Sequence, residues 1–392
     1  MSEHCYTYGV EEEFFLAHAR TGAIMTRMPN TFLRELKRHL DPYVSHELLQ
    51  SQIELVTPIC SETGQLAAAV MRNRTRSAEI ARRFDLELIS AGTHPLAEWR
   101  EQNLTQKSRY RQLLSDFQII GRRTLLCGMH VHVQPPPGED RVDVMNRVLA
   151  YMPIFLGLSC SSPFWNRQGT GLMSYRQAAY DEWPRTGIPE FFNGEADYNA
   201  FVRMLVEAGV IEDASFLWWA VRISATYPTI ELRIADACTD VEDALCIANL
   251  FRCLVRAAVR NPSLGRARLS TTRLLIEENR WQAKRHGTAA EFIDEVGSGT
   301  RMPFGERLEG LLTLIRDDVA HFGCETAVTH ARRIMSRGTS AAQQVTVYRA
   351  ARECGASRTE ACREVVRWLA AHSVPAHTPV NVLADTSPSM SA

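Results

Sequence analysis

The 392-residue sequence contains neither a GxxxxGK[ST] loop nor a GxGxxG turn. Both common glycine-rich cradles for nucleotide phosphates are therefore missing, which argues against a P-loop or Rossmann enzyme. There is no CxxC pair either. The 10 cysteines are scattered singly, which fits neither a zinc ribbon nor a disulfide scaffold. Cys246 and Cys253 stand among apolar neighbours and read as small core residues rather than nucleophiles. Charge of either sign is not in excess: a formal net charge of -1 does not favour nucleic acid or an anionic membrane as a partner. No apolar run is long enough to span a bilayer, and the chain enters its first strand pattern without a basic and apolar leader, so a cytoplasmic protein is expected. What is present, 45% hydrophobic and 23% charged residues, is the composition of a soluble globular protein with a sizeable core.

Against this background four segments share a pattern. Val10 to Leu16, Gln52 to Thr57, Leu126 to Gln134 and Thr229 to Ala235 read as strands, whose side chains alternate between faces. In the first, Glu11 and Glu13 take one face and Val10, Glu12 and Phe14 the other. In the second, Glu54 lies opposite Ile53 and Leu55. In the third, His130 and His132 point away from Met129, Val131 and Val133. In the fourth, Glu231 and Arg233 share a face behind which Ile230, Leu232 and Ile234 form an apolar back. Any one such strand is what a half-solvated antiparallel sheet produces. Four together, none containing a lysine, concentrate carboxylates at a cost that a cation or a paired base must offset. Several acids, one or two imidazoles and no thiolate suit a hard cation, Mg²⁺ with Mn²⁺ as the alternative. A zinc site using the His-x-His pair stays open. Because Mg²⁺ usually arrives with phosphates, a nucleotide is the natural companion.

The remaining pattern is mixed. A helix starts at Ser61 or Thr63 and carries an arginine-rich outer face, and a further strand runs through Leu86 to Pro95. Helices are expected over Lys107 to Ile120, Val142 to Leu158 and Val241 to Val259, the last with Val241, Leu245, Ala248 and Phe251 at core spacing. Helical patterns dominate from Arg273 onward, in Gly305 to Phe322, Ala341 to Arg352 and Arg358 to Ala371. Residues 1–373 read as one catalytic domain, and the tail over 374–392, rich in Pro, Ser and Thr, as disordered. Ser161 to Gly194 forms a long irregular stretch of the kind that is usually functional. Its Arg167, Arg176 and Arg185 suit phosphate or carboxylate oxygens, with Arg176 the strongest candidate.

The ordered series GVEEEFF, HELLQSQIELVTP, AGTHP, GMHVHV, SPFW through SYR to WPRTG, LWW followed by IELRIAD, and ENRW resembles the YbdK-type carboxylate-amine ligases, also called type 2 glutamate-cysteine ligases. The resemblance runs from Tyr6 to about Ala371. It implies an α+β, glutamine-synthetase-like fold: a curved, mainly antiparallel sheet forming a funnel, with helices packed outside. It also implies an ADP-forming reaction, in which ATP converts a carboxylate to an acyl phosphate and an amine displaces the phosphate to leave an amide. Weak glutamate-cysteine ligase activity is the reference, with a small amino acid and an amine as substrates. The family's metal-binding acids fall on Glu11, Glu13, Glu54 and Glu231, its histidine on His130, and a further acid on Glu47. Arg233 would hold the transferred phosphoryl group or the acyl phosphate, unless it simply pairs with Glu231; Arg176 would serve beside it in binding and catalysis. His132 reads as a substrate contact or structural group more than as a ligand, and Asp236 as a structural residue that either orients Arg233 or caps a turn. The resemblance suggests a homodimer. A metal-dependent amidohydrolase and a non-catalytic metabolite-binding member of the fold are the competing readings.

Overall fold

Alternation along β1 (Tyr8–His18), the longest strand, sets the frame: its residues switch between buried and partly exposed from Tyr8 to Glu13 before the strand sinks into the core. The computed structural model describes residues 6–105, 108–296 and 298–375. Within these, β2 (Val44–His46), β3 (Gln52–Val56), β4 (Leu86–Ile89), β5 (Met129–Val133), β8 (Val221–Ile223) and β9 (Ile230–Leu232) join β1 in one sheet, while β6 (Phe164–Trp165) with β7 (Gln168–Gly169) and β10 (Glu291–Ile293) with β11 (Arg301–Pro303) form separate hairpins. The sheet order is β2-β3-β1-β5-β9-β8, with β4 added on β1. Each of these pairings is antiparallel, and the sheet stays open.

Register decides which residues meet. Glu13 lies opposite Glu54, and Glu54 opposite Ser45. Glu11 faces His130. Glu231 faces His132 on one neighbour and Arg222 on the other. Directly opposed residues bring their Cβ atoms within about 5 Å, so one face becomes a continuous polar row while Val10, Met129, Val131, Ile230 and Leu232 are buried behind it.

That back is covered by helices. α2 (Thr63–Arg82) starts at Thr63 and is closed by a reciprocal capping box between Glu62 and Gln65. α8 (Val241–Arg260), capped by Asp240, buries the anticipated Val241, Leu245, Ala248 and Phe251 together with most of its other residues, so it is a central helix rather than an amphipathic cover. Glu12, the one carboxylate of β1 that points backward, is buried at 3% exposure and meets Arg74 of α2. Arg74 also donates to the carbonyls of Cys238, Thr239 and Ser373, so its charge is paired and its remaining donors are satisfied. Removing one side of such a buried pair costs about 3–5 kcal/mol.

Several expected elements differ in detail. Val142 to Leu158 is two helices, α4 (Arg141–Val148) and α5 (Met152–Ser159), because Pro153 lacks the N–H that a continuous helix would use; a 3₁₀ turn over Leu149–Tyr151 joins them. The helix expected from Lys107 is α3 (Ser108–Arg122), interrupted at Gln118 with φ 47°; Lys107 itself lies outside the described residues. Ser161 to Gly194 is less irregular than expected, containing β6, β7 and α6 (Tyr175–Tyr180). Gly305 to Phe322 breaks at Ile315 into two helices, Phe304–Leu314 and Arg316–Phe322. Of the tail expected from residue 374, Val374 is buried at 7% exposure, and 376–392 lie outside the described residues. No helix among the described residues is long and apolar enough to cross a membrane.

Candidate active site

The polar row opens into a cavity of about 460 Å³ lined by Glu11, Glu13, Glu47, Glu54 and His130 on the sheet side and closed by Arg176, Tyr180, Arg222 and Arg233. Within the row the acids divide into two groups. Glu13, Glu47 and Glu54 bring ligand oxygens within 4.8 Å of one another. Ser45 Oγ donates to Glu54 at 2.9 Å and the Gly128 N–H to Glu13 at 2.5 Å, but no cationic side chain is paired with these three among the described residues. Burial, reinforced by the charge of Glu13, pushes the Glu47 carboxyl up to about 7. Burial and the charges of Glu47, Glu11 and Glu13 likewise raise Glu54 well above the carboxylate range. Carboxylates that raise one another's pKa in this way form a site short of positive charge.

Glu11, His132 and Glu231 form the second group, again within 4.8 Å. Here the charge is already answered. Glu11 lies 3.2 Å from His130 Nδ1 and 3.2 Å from His132 Nε2. Burial opposes its ionisation, yet the two imidazoles hold the carboxyl far below its usual range. Arg222 grips Glu231 with two N–H groups, at 2.7 and 3.2 Å, and Arg233 Nη1 bonds the same carboxylate. Burial again opposes the charge, and Arg233 and Arg222 outweigh it, so Glu231 too is held low. Burial together with Arg233 lowers the pKa of His130.

All six acids and imidazoles anticipated as metal ligands, Glu11, Glu13, Glu47, Glu54, His130 and Glu231, thus lie along this row or line its cavity. Their roles are not equal. His132, favoured above as a contact or structural group, is the imidazole grouped with Glu11 and Glu231, with its Nδ1 fixed by Thr229 Oγ1 at 2.9 Å; His130 stands one register step away, bonded to Glu11. Both carboxylate oxygens of Glu231 are engaged by guanidinium groups. The donor set of the first group, oxygen only and short of positive charge, fits a hard divalent cation.

Arg176 sits at the start of α6, is 3% exposed, and reaches the cavity past Gly128. A Cβ at position 128 would lie 2.1 Å from Arg176 Nη2, so only glycine leaves the path open. Asp236 does not orient Arg233. Fully buried, it accepts from Ser162 Oγ at 2.6 Å, Ser174 Oγ at 2.8 Å and the Ser161 N–H at 3.0 Å, and its nearest guanidinium is that of Arg176 at 3.9 Å. Among the described residues Arg176 Nη1 and Arg233 Nε are buried without a hydrogen-bond partner. Arg167 is instead paired with Glu98 at 3.1 Å, and Arg185 donates to the Phe216 carbonyl and lies over Trp218; neither lines the cavity.

Sequence reasoning missed Arg222 and Tyr180. Arg222 alternates with Val221 and Ile223 on β8, and the Ser-Ala-Thr-Tyr-Pro turn between it and Glu231 was the available hairpin signal. Tyr180 OH accepts from Arg233 Nη2 at 3.3 Å, a contact with no sequence signature. A second cavity of about 390 Å³ shares Glu11 with the first, takes His132 into its wall, and is lined more by apolar groups, among them Pro42, Tyr43, Val56, Ile59 and Tyr227.

The profile of glutamate-cysteine ligase family 2 matches residues 7–367. A Rhodospirillum rubrum protein named "Putative glutamate--cysteine ligase 2" is 42% identical over 95% of this chain and 97% of its own length, and one of the same name from Ectopseudomonas mendocina is 41% identical over 94% and 97%. Among solved structures, a glutamate–cysteine ligase from Francisella tularensis in complex with AMP superposes with a TM-score of 0.69 at 11% identity, covering 94% of this chain and 88% of that one. A bifunctional glutathione synthetase from Pasteurella multocida gives 0.68 at 17% identity, and this chain, covered to 94%, spans 52% of its length. These likenesses bear out the α+β, glutamine-synthetase-like fold with its mainly antiparallel sheet. The chain belongs to glutamate-cysteine ligase family 2, and with it to the ligases that form carbon–nitrogen bonds.

Proposed function

We propose that the protein is an ATP-dependent carboxylate-amine ligase working through an acyl phosphate, with glutamate as the reference carboxylate. The observation that carries this is the juxtaposition of three like-charged acids, Glu13, Glu47 and Glu54, with two buried guanidiniums that each keep one nitrogen without a hydrogen-bond partner among the described residues, Nη1 of Arg176 and Nε of Arg233. The acids suit a cation and the guanidiniums suit an anion, the two needs of phosphoryl transfer to a carboxylate. Mg²⁺, held by Glu13, Glu47 and Glu54, would neutralise phosphate charge and align the transferred group.

The chain's own residues supply the rest. Arg176 receives the substrate carboxylate, its free Nη1 finding the acceptor it lacks. Arg233, aimed by Glu231 and Tyr180, meets charge building on the phosphoryl oxygens. Arg222 acts through Glu231 as a positioning residue, since its own donors are taken by that carboxylate and by the Ser215 and Leu217 carbonyls. The apolar cavity beyond Glu11, with Tyr43 and Tyr227 on its walls, suits an adenine ring. The amine nitrogen then bonds to the acyl carbon, the carbon–oxygen bond to phosphate breaks with its electron pair leaving on phosphate, and the nitrogen gives up a proton to that departing phosphate. Nine free cysteines among the described residues support a reducing, cytoplasmic setting, and a homodimer is the proposed assembly.

The test is ADP release from purified protein with Mg-ATP and glutamate, using hydroxylamine as a small nucleophile and mass spectrometry for the product. Glutamyl hydroxamate with stoichiometric ADP is expected; ATP left intact across carboxylates and divalent metals rejects the reading.

A further inference from the structure

The first cavity has two chemically unlike walls. One is the polar row just described. The other comprises Leu113, Leu126, Trp183 and Trp218, with Tyr180 and Thr124 at its edges. This second wall is built rather than incidental. Trp183 and Trp218 meet edge-to-face at 5.1 Å, and Phe117 packs against both, at 4.7 and 5.6 Å between centroids. Trp183 spends its only polar atom on Thr124 Oγ1 at 3.1 Å, leaving ring surface toward the cavity. Arg185 lies over Trp218 at 5.3 Å with its Nε tied to the Phe216 carbonyl, which fixes that indole from outside.

Phosphoryl transfer has no use for such a wall, and neither does glutamate, whose carboxylates seek guanidinium. We infer that it selects the amine substrate, and that the amine is a primary amine carrying an aromatic or bulky apolar group, in preference to an amino acid such as cysteine. The inference rests on the ligase reading above. Cysteine would leave the partly exposed Trp218 ring uncovered, forfeiting burial that scales with apolar area. It would also bring a carboxylate of its own. Among the described residues lining the cavity, Arg222 and Arg233 are committed to Glu231, and Arg176 is needed for the first substrate. An amine without a carboxylate avoids that deficit, and its ammonium form is drawn in by the acids opposite. A volume of about 460 Å³ falls within the range of small-molecule sites.

The experiment compares phenylethylamine and tryptamine with cysteine, 2-aminobutyrate and hydroxylamine as acceptors at saturating Mg-ATP and glutamate, with calorimetric binding of phenylethylamine as an independent readout. The expected result is a kcat/KM for the aromatic amines at least tenfold above that for cysteine. Trp218→Ala should raise the KM and the calorimetric Kd for phenylethylamine at least tenfold while the KM values for glutamate and ATP stay within twofold, and Trp218→Phe should recover most of the loss. Equal or better use of cysteine, or indifference of the amine KM to Trp218→Ala, overturns the inference. Hydroxylamine separates the two failures: hydroxamate formed without preference for apolar amines sinks the amine assignment and leaves the ligase standing, whereas neither hydroxamate nor ADP removes both.

Discussion

The two acid groups of the polar row lie on the same sheet face, yet they are electrostatic opposites. Around Glu11 and Glu231 every carboxylate has a protein partner, two imidazoles for the first and two guanidiniums for the second, and both acids are held ionised. Around Glu13, Glu47 and Glu54 the partners among the described residues are a hydroxyl, backbone N–H groups and one another, and two of the three acids are pushed up. One end is complete as protein, and the other is built to receive charge. A carboxylate cluster therefore cannot be assigned from its acids alone, because the neighbouring bases decide whether it organises side chains or waits for a cation.

Neutralising each group in turn should break the symmetry. Glu54→Gln removes a cation ligand and is expected to lower Mg²⁺-dependent turnover by about 10²- to 10³-fold, while relieving repulsion so that the metal-free protein unfolds at a higher temperature; a lower melting temperature in EDTA would contradict the assignment. Glu231→Gln should do the reverse to the fold. It strands the guanidiniums of Arg222 and Arg233, and urea titration should show a loss of about 3–5 kcal/mol along with the loss of activity. Gly128→Ala tests the guanidinium side without touching a charge: its Cβ would displace Arg176, and the KM for the carboxylate substrate should rise about tenfold with that for ATP unchanged.

The smallest effect is one of pH. Glu47, moved up from an ordinary value of 4.5 to about 7, keeps in the folded state a proton that the unfolded chain has released. Between those two values the folded state binds more protons, so stability falls as pH rises. Glu11 and Glu231, held low, contribute in the opposite sense, but only below the ordinary carboxylate range. Because buried His94 and His130, held low, raise stability with pH over part of this window, the comparison is with Glu47→Gln: relative to that variant, the melting temperature in EDTA should drop by about a few degrees from pH 5 to pH 8, and Mg²⁺ should restore it increasingly as pH rises. A flat profile would mean that Glu47 is not buried against Glu13.

Much of this was legible in advance where the information was local. Period-two alternation marked the parts of β1, β3, β5 and β9 that carry Glu11, Glu13, Glu54, His130, His132 and Glu231, and put Glu12 on the opposite face, where it meets Arg74. The strands β2 and β8 were not read, and Arg222 went unnoticed with them; β9 is equally short, but there the alternation continues past the strand through Ile234. The helices at Asn30–Leu40 and Glu195–Glu207 were likewise unread. Pro153 was in plain view, but a continuous apolar run concealed the break it causes.

The sequence by itself determined which side chains share a face, because the pleat of a strand is a property of consecutive residues, and it determined the family through the order of its motifs. Which carboxylate is answered and which is left short was decided only by the tertiary structure. Antiparallel register sets Arg222 and His132 on either side of Glu231 while leaving Glu13 opposite Glu54, and a pKa depends on such distances between residues far apart in the chain.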